Sequence, residues 1–372
     1  MKDLNPLLTH LEEADDKISE YRFVSAFDGF IDQIIKVVDE RTDLDHYRPV
    51  PTMMHLGELF QAASNRSSLR EIVIEREEIG GCAVNLADGL TGLGARVDFF
   101  GTTGMPLNKA FSDFSKQCHS FTTLSCDPGL TMALEFDDGK YMLSSVSQLA
   151  ALNRKLLEKE FADGKFLTSC ESAGLIALTN WSLYPYMTEC WEYLQDELFR
   201  RLTHRPVIYI DLVDPRSRSR EDIRQMLSVL SGFQKYGNTI FGGNLNEGNI
   251  LADLFGLEPV SEEGEDVARL ASRIRETLGI TAVALHCVKG SSFADAQGEY
   301  WADGPYCKNP VKSTGAGDRY NAGFCLASLL NLEAEERLQF ANAVSGFFVR
   351  NGRSGSFKEV INLIKQWNRG EL

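Results

Sequence analysis

The sequence contains no stretch approaching about 18 uninterrupted apolar residues, so nothing in it predicts a membrane-spanning helix. Its first residues, MKDLNPLLTHLEEADDK, lack the apolar core of a secretory signal. No run of Lys or Arg is long enough to follow a polyanion. The 38 basic residues against 53 acidic ones give a formal net charge of −15, which argues against nucleic acid as a partner. The eight cysteines form no C-x-x-C pair and no Cys/His cluster at metal-ligand spacing, so they read as reduced, mostly buried thiols. Internal repeats, low-complexity tracts and Pro-rich linkers are missing as well. These absences predict a soluble, cytoplasmic protein.

What is present is an ordinary globular balance, 43% hydrophobic and 24% charged, in 372 residues. That length suits one large α/β domain carrying insertions. Residues 1–20 read as an amphipathic helix with Leu7, Leu8 and Leu11 on one side. A strand from Tyr21 to Ser25 runs into FDGFIDQIIKVV, where Asp28 and Asp32 flank a glycine turn. Further strands are read at 175–179, 207–213, 239–241 and 282–288. Between the last two, Val267, Leu270, Ile274 and Leu278 form one helical stripe, entered through Ser261 and an acidic first turn. Alternating strands and helices predict a predominantly parallel sheet flanked by helices on both faces, a three-layer α/β fold. Two segments break the alternation, roughly 33–79 and 125–148. In the second, Asp138-Gly139 marks a hairpin over 131–145. Together they predict a small β-lid over a pocket.

The most informative segment is VKSTGAGDRYNAGFCLASLL, residues 311–330. Small residues at Gly315, Ala316 and Gly317 let backbone N–H groups converge at the start of an apolar helix, whose dipole adds positive potential. That describes an anion hole. Asp318 follows at once. A carboxylate beside a bound phosphate is repelled by it, and it has a use there as a general base taking a proton from an attacking hydroxyl. The alternative is a flexible loop with a helix-capping acid.

A second motif, GGCAVNLADGLTGLGARVDFFGTTG, spans 80–104. Gly80 and Gly81 permit close backbone approach to a ligand, and Asn85 offers both a donor and an acceptor. Leu86, Leu90 and Leu93 make a helix stripe that Gly94 ends. The dinucleotide-binding pattern G-x-G-x-x-G is absent, so a nicotinamide-dependent dehydrogenase loses ground.

In these two motifs the sequence resembles the ribokinase-like sugar and nucleoside kinases, also called the phosphofructokinase-B family. Gly80, Gly81, Asn85, Ala87, Gly94 and Gly104 stand at the spacing of one family signature, and Gly315, Ala316, Gly317 and Asp318 at that of the other. The resemblance runs from about Tyr21 to the C-terminus and is weakest across 33–79. It implies an ATP-dependent kinase that uses Mg²⁺ and phosphorylates a hydroxyl of a sugar-like molecule. Asp318 corresponds to the catalytic base, and the Gly315–Gly317 backbone to the anion hole. Asp32 matches an acid that grips sugar hydroxyls, with Asp28 as the alternative; Gly80, Gly81, Asn85 and Asn180 fall on the same acceptor side. Asn244-Leu245-Asn246-Glu247 fits an N-x-x-E motif in which Glu247 holds Mg²⁺ through water. Asn244, Lys289, Gly290, Lys312 and Asn342 fall on the nucleotide side. Trp181 follows Asn180, and Asp214 and Arg216 follow another strand; each is as readily a core or surface residue.

The sequence also departs from the family. Many members carry an acid where Lys312 stands, helping to bind a monovalent cation whose place this ammonium can take. The usual Thr-x-Gly-x-x-Gly of the nucleotide strand is Leu285-His286-Cys287-Val288-Lys289-Gly290, and Arg319 after the base is unusual. A nucleoside kinase on the same fold is the nearest rival reading. A catalytically weak binding or regulatory protein on a kinase scaffold is the rival from another class. Pairing through the lid makes a homodimer an expectation.

Overall fold

The computed structural model describes residues 3–261 and 263–372. The strands, in chain order, are β1 Arg22–Phe27, β2 Phe30–Arg41, β3 Tyr47–Pro49, β4 Ile72–Gly80, β5 Arg96–Gly101, β6 Ser120–Thr123, β7 Gly129–Phe136 and β8 Gly139–Ser145. They continue as β9 Leu175–Thr179, β10 Val207–Asp211, β11 Asn238–Asn244, β12 Ala282–His286, β13 Gly290–Ala294 and β14 Glu299–Asp303. The large sheet has the order β14-β13-β12-β11-β10-β9-β1-β5-β6. Neighbours from β12 to β6 run parallel. The β12-β13-β14 edge is antiparallel.

Strand residues alternate between two cores, as a sheet buried on both faces requires. In β9, Ile176 and Leu178 pack into one core and Leu175 and Ala177 into the other. The first core is closed by the helices around Trp191 and Leu230, the second by the helices Cys82–Gly92, Ala316–Leu329 and Ala334–Asn351. This is the expected three-layer arrangement.

The small sheet has β2 at its centre, paired with β4 on one side and β7 on the other, with β8 beyond β7 and β3 on the far end of β2. Its own core joins Ile35, Val37 and Leu134 to Leu56 of the helix Met53–Ala63. The turn between β7 and β8 falls at Asp137-Asp138, with Phe136 facing Gly139.

Several boundaries differ from those read in the sequence. The strand at 207 ends at Asp211, because the Asp211 carboxylate takes the Val213 N–H at 3.0 Å and Val213 turns to φ 63°. The strand at 282 ends at His286, where Cys287 N–H turns back to the Gly290 carbonyl. β11 runs past its predicted end to Asn244. The helix Glu265–Leu278 starts from Gly264 at φ 145° and not from Ser261, although Glu265 and Asp266 do fill its first turn. The N-terminal helix covers Asn5–Ala14 and tightens to a 3₁₀ turn over Asp15–Glu20; Met1 and Lys2 of the predicted helix lie outside the described residues. Leu7, Leu8 and Leu11 are buried as predicted.

The two sheets meet at Asp28-Gly29, between β1 and β2. Asp28 is wholly buried, and its carboxylate accepts four hydrogen bonds. Two come from the first N–H groups of the helix Cys82–Gly92, Cys82 at 2.6 Å and Ala83 at 2.7 Å. The others come from the end of β9, Thr179 Oγ1 and Asn180 Nδ2, both at 2.9 Å. Gly81, at φ 99°, brings the helix start close enough; a Cβ there would lie 2.7 Å from the carboxylate. Burial pushes the Asp28 pKa up in spite of these donors. Replacing Asp28 with Ala strands four buried donors, and should lower unfolding free energy by about 3 kcal/mol or more in urea titrations. A loss under about 1 kcal/mol would show that the junction does not depend on it.

Candidate active site

The carboxyl ends of β1, β9, β10, β11 and β12 face the N-termini of three helices, Cys82–Gly92, Leu245–Phe255 and Ala316–Leu329. Open parallel sheets bind ligands in such a crevice. Gly315 adopts φ 85° and caps the third helix, so that the chain enters it through a turn only glycine takes without strain. Within that turn the Ala316 N–H is committed to the Ser313 carbonyl at 3.0 Å. The N–H groups of Gly315 and Gly317 have no acceptor among the described residues. They stand at the positive end of a 14-residue helix, where an anion is favoured.

Asp318 lies one residue further into this helix, held by Asn85 Nδ2 at 2.8 Å. Behind it the Arg319 guanidinium reaches Asp88 at 2.5 Å and Ser354 at 3.1 Å and lies 4.6 Å from the Phe348 ring. Burial is the main reason the Asp318 pKa rises to about 7. The Asp211 charge adds to the rise, while Arg319 and the Asn85 hydrogen bond oppose it. A carboxylate poised near neutrality can accept a proton and release it.

Two further acids share this crevice. Asp211, at the end of β10, accepts from Asn321 Nδ2 at 2.7 Å, and Tyr209 Oη donates to Asn321 Oδ1 at 2.6 Å. Burial pushes the pKa of both Asp211 and Glu247 up, and the Asp211 charge pushes Glu247 further. Glu247 and Asn244 form a capping box: Asn244 N–H donates to Glu247 Oε2 at 2.8 Å, and Glu247 N–H to Asn244 Oδ1 at 3.0 Å. The N-x-x-E motif therefore folds its own helix start and also delivers a buried carboxylate toward Asp318.

On the acceptor side, Asp32 stands on β2 against Gly80, where a Cβ would strike its carboxylate. Burial raises its pKa, against the pull of Thr131 and Lys312. Lys312 donates to Glu78 of β4 at 2.6 Å, so the residue placed by sequence on the nucleotide side faces the small sheet. Burial pushes Glu78 up, but Lys312 and Arg76 outweigh it and the net shift is downward. Asp28 and Asn180, read as acceptor contacts, are instead spent on each other and on the helix start. Trp181 is a core residue, its Nε1 donating to Thr188 at 2.8 Å. Asp214 and Arg216 form an exposed pair.

On the other side opens a cavity of about 450 Å³ lined by Asn244, His286, Gly290, Gly317 and Asn342 among others. Asn342 holds its wall by donating to the Ala302 carbonyl at 3.0 Å. Lys289 is exposed, and its N–H goes to Glu263 at 2.7 Å. Sequence reading missed Asp211, Asn321, His286 and Glu78. The signal for the first two was an acid and an amide inside otherwise apolar runs, VIYID and YNAGFCLA.

Comparison with known proteins agrees with this architecture. The family model of prokaryotic ketohexokinase matches residues 6–367. A ketohexokinase of Haloferax volcanii is 28% identical over 352 residues, covering 94% of this chain and 92% of that protein. Among solved structures, ribokinase from Thermotoga maritima superposes with a TM-score of 0.60 at 17% identity, over 93% of this chain and 99% of that one. A nucleoside kinase of Methanocaldococcus jannaschii gives a TM-score of 0.60 at 13% identity, over 93% and 98%. The fold is ribokinase-like.

The raised pKa of Asp318 has a consequence for stability. Below about pH 4 the group is protonated whether the chain is folded or not; from there to about pH 7 only the unfolded chain ionises, so stability falls as pH rises. Asp318→Asn, which keeps the Asn85 contact, should therefore melt higher than wild type. The gap should widen from pH 4 to 7 and then level off. Thermal melts showing a gap that shrinks over that range would contradict the placement of this charge.

Proposed function

The chain belongs to the prokaryotic ketohexokinase family, and on that footing we propose that this carbohydrate kinase moves the γ-phosphoryl group of MgATP to a hydroxyl of a ketohexose. The observation that carries the reading is Asp318, raised to about 7, one residue from the unclaimed Gly317 N–H at a helix N-terminus. Asp318 takes the hydroxyl proton as the sugar oxygen bonds to the γ-phosphorus. The bond from that phosphorus to the β–γ bridging oxygen breaks, and ADP leaves with the electron pair. Gly315 and Gly317 N–H groups steady the charge on the transferring group.

Mg²⁺ suits this set of donors only in a limited way. The described residues contain no group of three or more His, Cys, Asp or Glu placed to hold a metal ion. The ion would therefore sit mainly on phosphate oxygens and water, supplying charge neutralisation, with Glu247 reaching it through water. The two acids raised beside it, Asp211 and Glu247, are the groups a divalent charge would relieve.

Asp32 is the grip on the sugar hydroxyls, and the small sheet serves as the lid that excludes water, so that phosphate goes to the sugar. The Glu78–Lys312 pair ties that lid to the loop leading into the anion hole. Exposed Ile72, Ile74, Tyr141 and Leu143 on its outer strands support a homodimer through the lid. Eight free thiols suit a reducing compartment, the cytoplasm. No helix among the described residues is long and apolar enough to cross a membrane.

Two measurements test the proposal. ADP release with MgATP should rise with ketohexoses and not with nucleosides, and Asp318→Asn should lower kcat by about 10²-fold or more. Turnover of nucleosides alone would favour a nucleoside kinase, and nucleotide binding without any acceptor would favour a binding protein. For the lid, Glu78→Gln and Lys312→Met should each raise the ketohexose KM several-fold, and the double variant should be no worse than either single. Additive effects would mean that the pair does not act as a unit.

A further inference from the structure

The cavity is lined by no Lys or Arg among the described residues, and the acid Glu263 stands on its wall. A nucleotide polyphosphate seated there must be held largely by neutral donors. One such group has no partner. His286, at the end of β12 and in register with Asn244 at the end of β11, makes no side-chain hydrogen bond among the described residues. Tyr320, further along the Ala316–Leu329 helix, backs it at 5.2 Å between centroids.

The ring edge carrying Cε1 and Nε2 lies against Gly317; a Cβ at that position would meet those atoms at 2.8 and 2.9 Å. The imidazole thus sits beside the Gly317 N–H that no backbone acceptor claims. Burial lowers its pKa to about 4, so at neutral pH it is uncharged and offers one N–H donor and one acceptor. His286 is half-buried and opens on the cavity, so its unpaired N–H is available to a ligand seated there.

Resting on the kinase reading above, we propose that His286 is a nucleotide-binding residue whose Nε2–H donates to a polyphosphate oxygen of ATP held over Gly317. The far wall of the same cavity, with Pro305, Gly346 and Val349, is apolar and suits the base. His286 therefore acts on the phosphate end of the nucleotide and not on the adenosine end. It stands in the Leu285–Gly290 segment, which has no glycine before Gly290.

Calorimetric titration of wild type, His286→Ala and His286→Gln with adenosine, ADP and ATP in Mg²⁺ tests this. His286→Ala should weaken ADP and ATP by about tenfold or more, as expected for a lost hydrogen bond to a charged group, and leave adenosine unchanged. His286→Gln, which restores an N–H donor, should recover most of the loss. Equal affinity of His286→Ala and wild type for ATP would overturn the proposal, as would a parallel loss of adenosine, which marks a merely structural role. Wild type that binds adenosine but gains nothing from added phosphates would also overturn it. Wild type that binds none of the three would overturn the kinase reading along with it.

Discussion

Everything in the crevice depends on one buried carboxylate that does no chemistry. Asp28 leaves β1 where the chain passes from the large sheet to the small one, and its two oxygens join the start of the helix Cys82–Gly92 to the end of β9. That helix carries Asn85, and Asn85 holds Asp318. Asp28 therefore sets where Asp318 stands by a chain of two short contacts. It also stands just before β2, which begins at Phe30, two residues ahead of Asp32. Both of its oxygens are spent, whereas Asp32 keeps some exposure and stands near Glu78 and Lys312 at the small sheet.

The electrostatics of the site follow from crowding acids under a positive helix end. Asp211, Glu247 and Asp318 are all pushed upward by burial, and the Asp211 charge raises the other two. Such an arrangement is costly, because each buried charge disfavours the ionisation of its neighbours. Arg319 tempers it from behind. Its guanidinium is tied to Asp88 and Ser354 and laid on Phe348, so it offsets the Asp318 charge without entering the cavity. Lys312 also approaches this ring, at 5.9 Å, while bound to Glu78. One aromatic side chain therefore lies near both the cation behind Asp318 and the cation that reaches the small sheet.

Much of this was legible in the amino-acid order where local chemistry decides the outcome. Gly315 at φ 85° and Asp318 at the helix start follow from the glycines before an apolar helix, and the turn near Asp138 follows from its hairpin pair. What could not be read is the direction of long or buried side chains. Lys312 sits next to the glycine-rich loop in sequence, but its four-carbon stem carries the charge to a strand more than 230 positions earlier. Asn180, at φ 60°, is turned inward to Asp28 by a backbone conformation that no local pattern announced. His286 gained its place only when β12 was set beside β11, a pairing that sequence spacing does not fix.

The most direct test of the account is a crystal structure of the ternary complex with Mg²⁺, a non-hydrolysable ATP analogue and a ketohexose. The account predicts one sugar hydroxyl within hydrogen-bond reach of the Asp318 carboxylate and the terminal phosphate over the Gly315 and Gly317 N–H groups. A complex in which no sugar hydroxyl reaches the Asp318 carboxylate would contradict it.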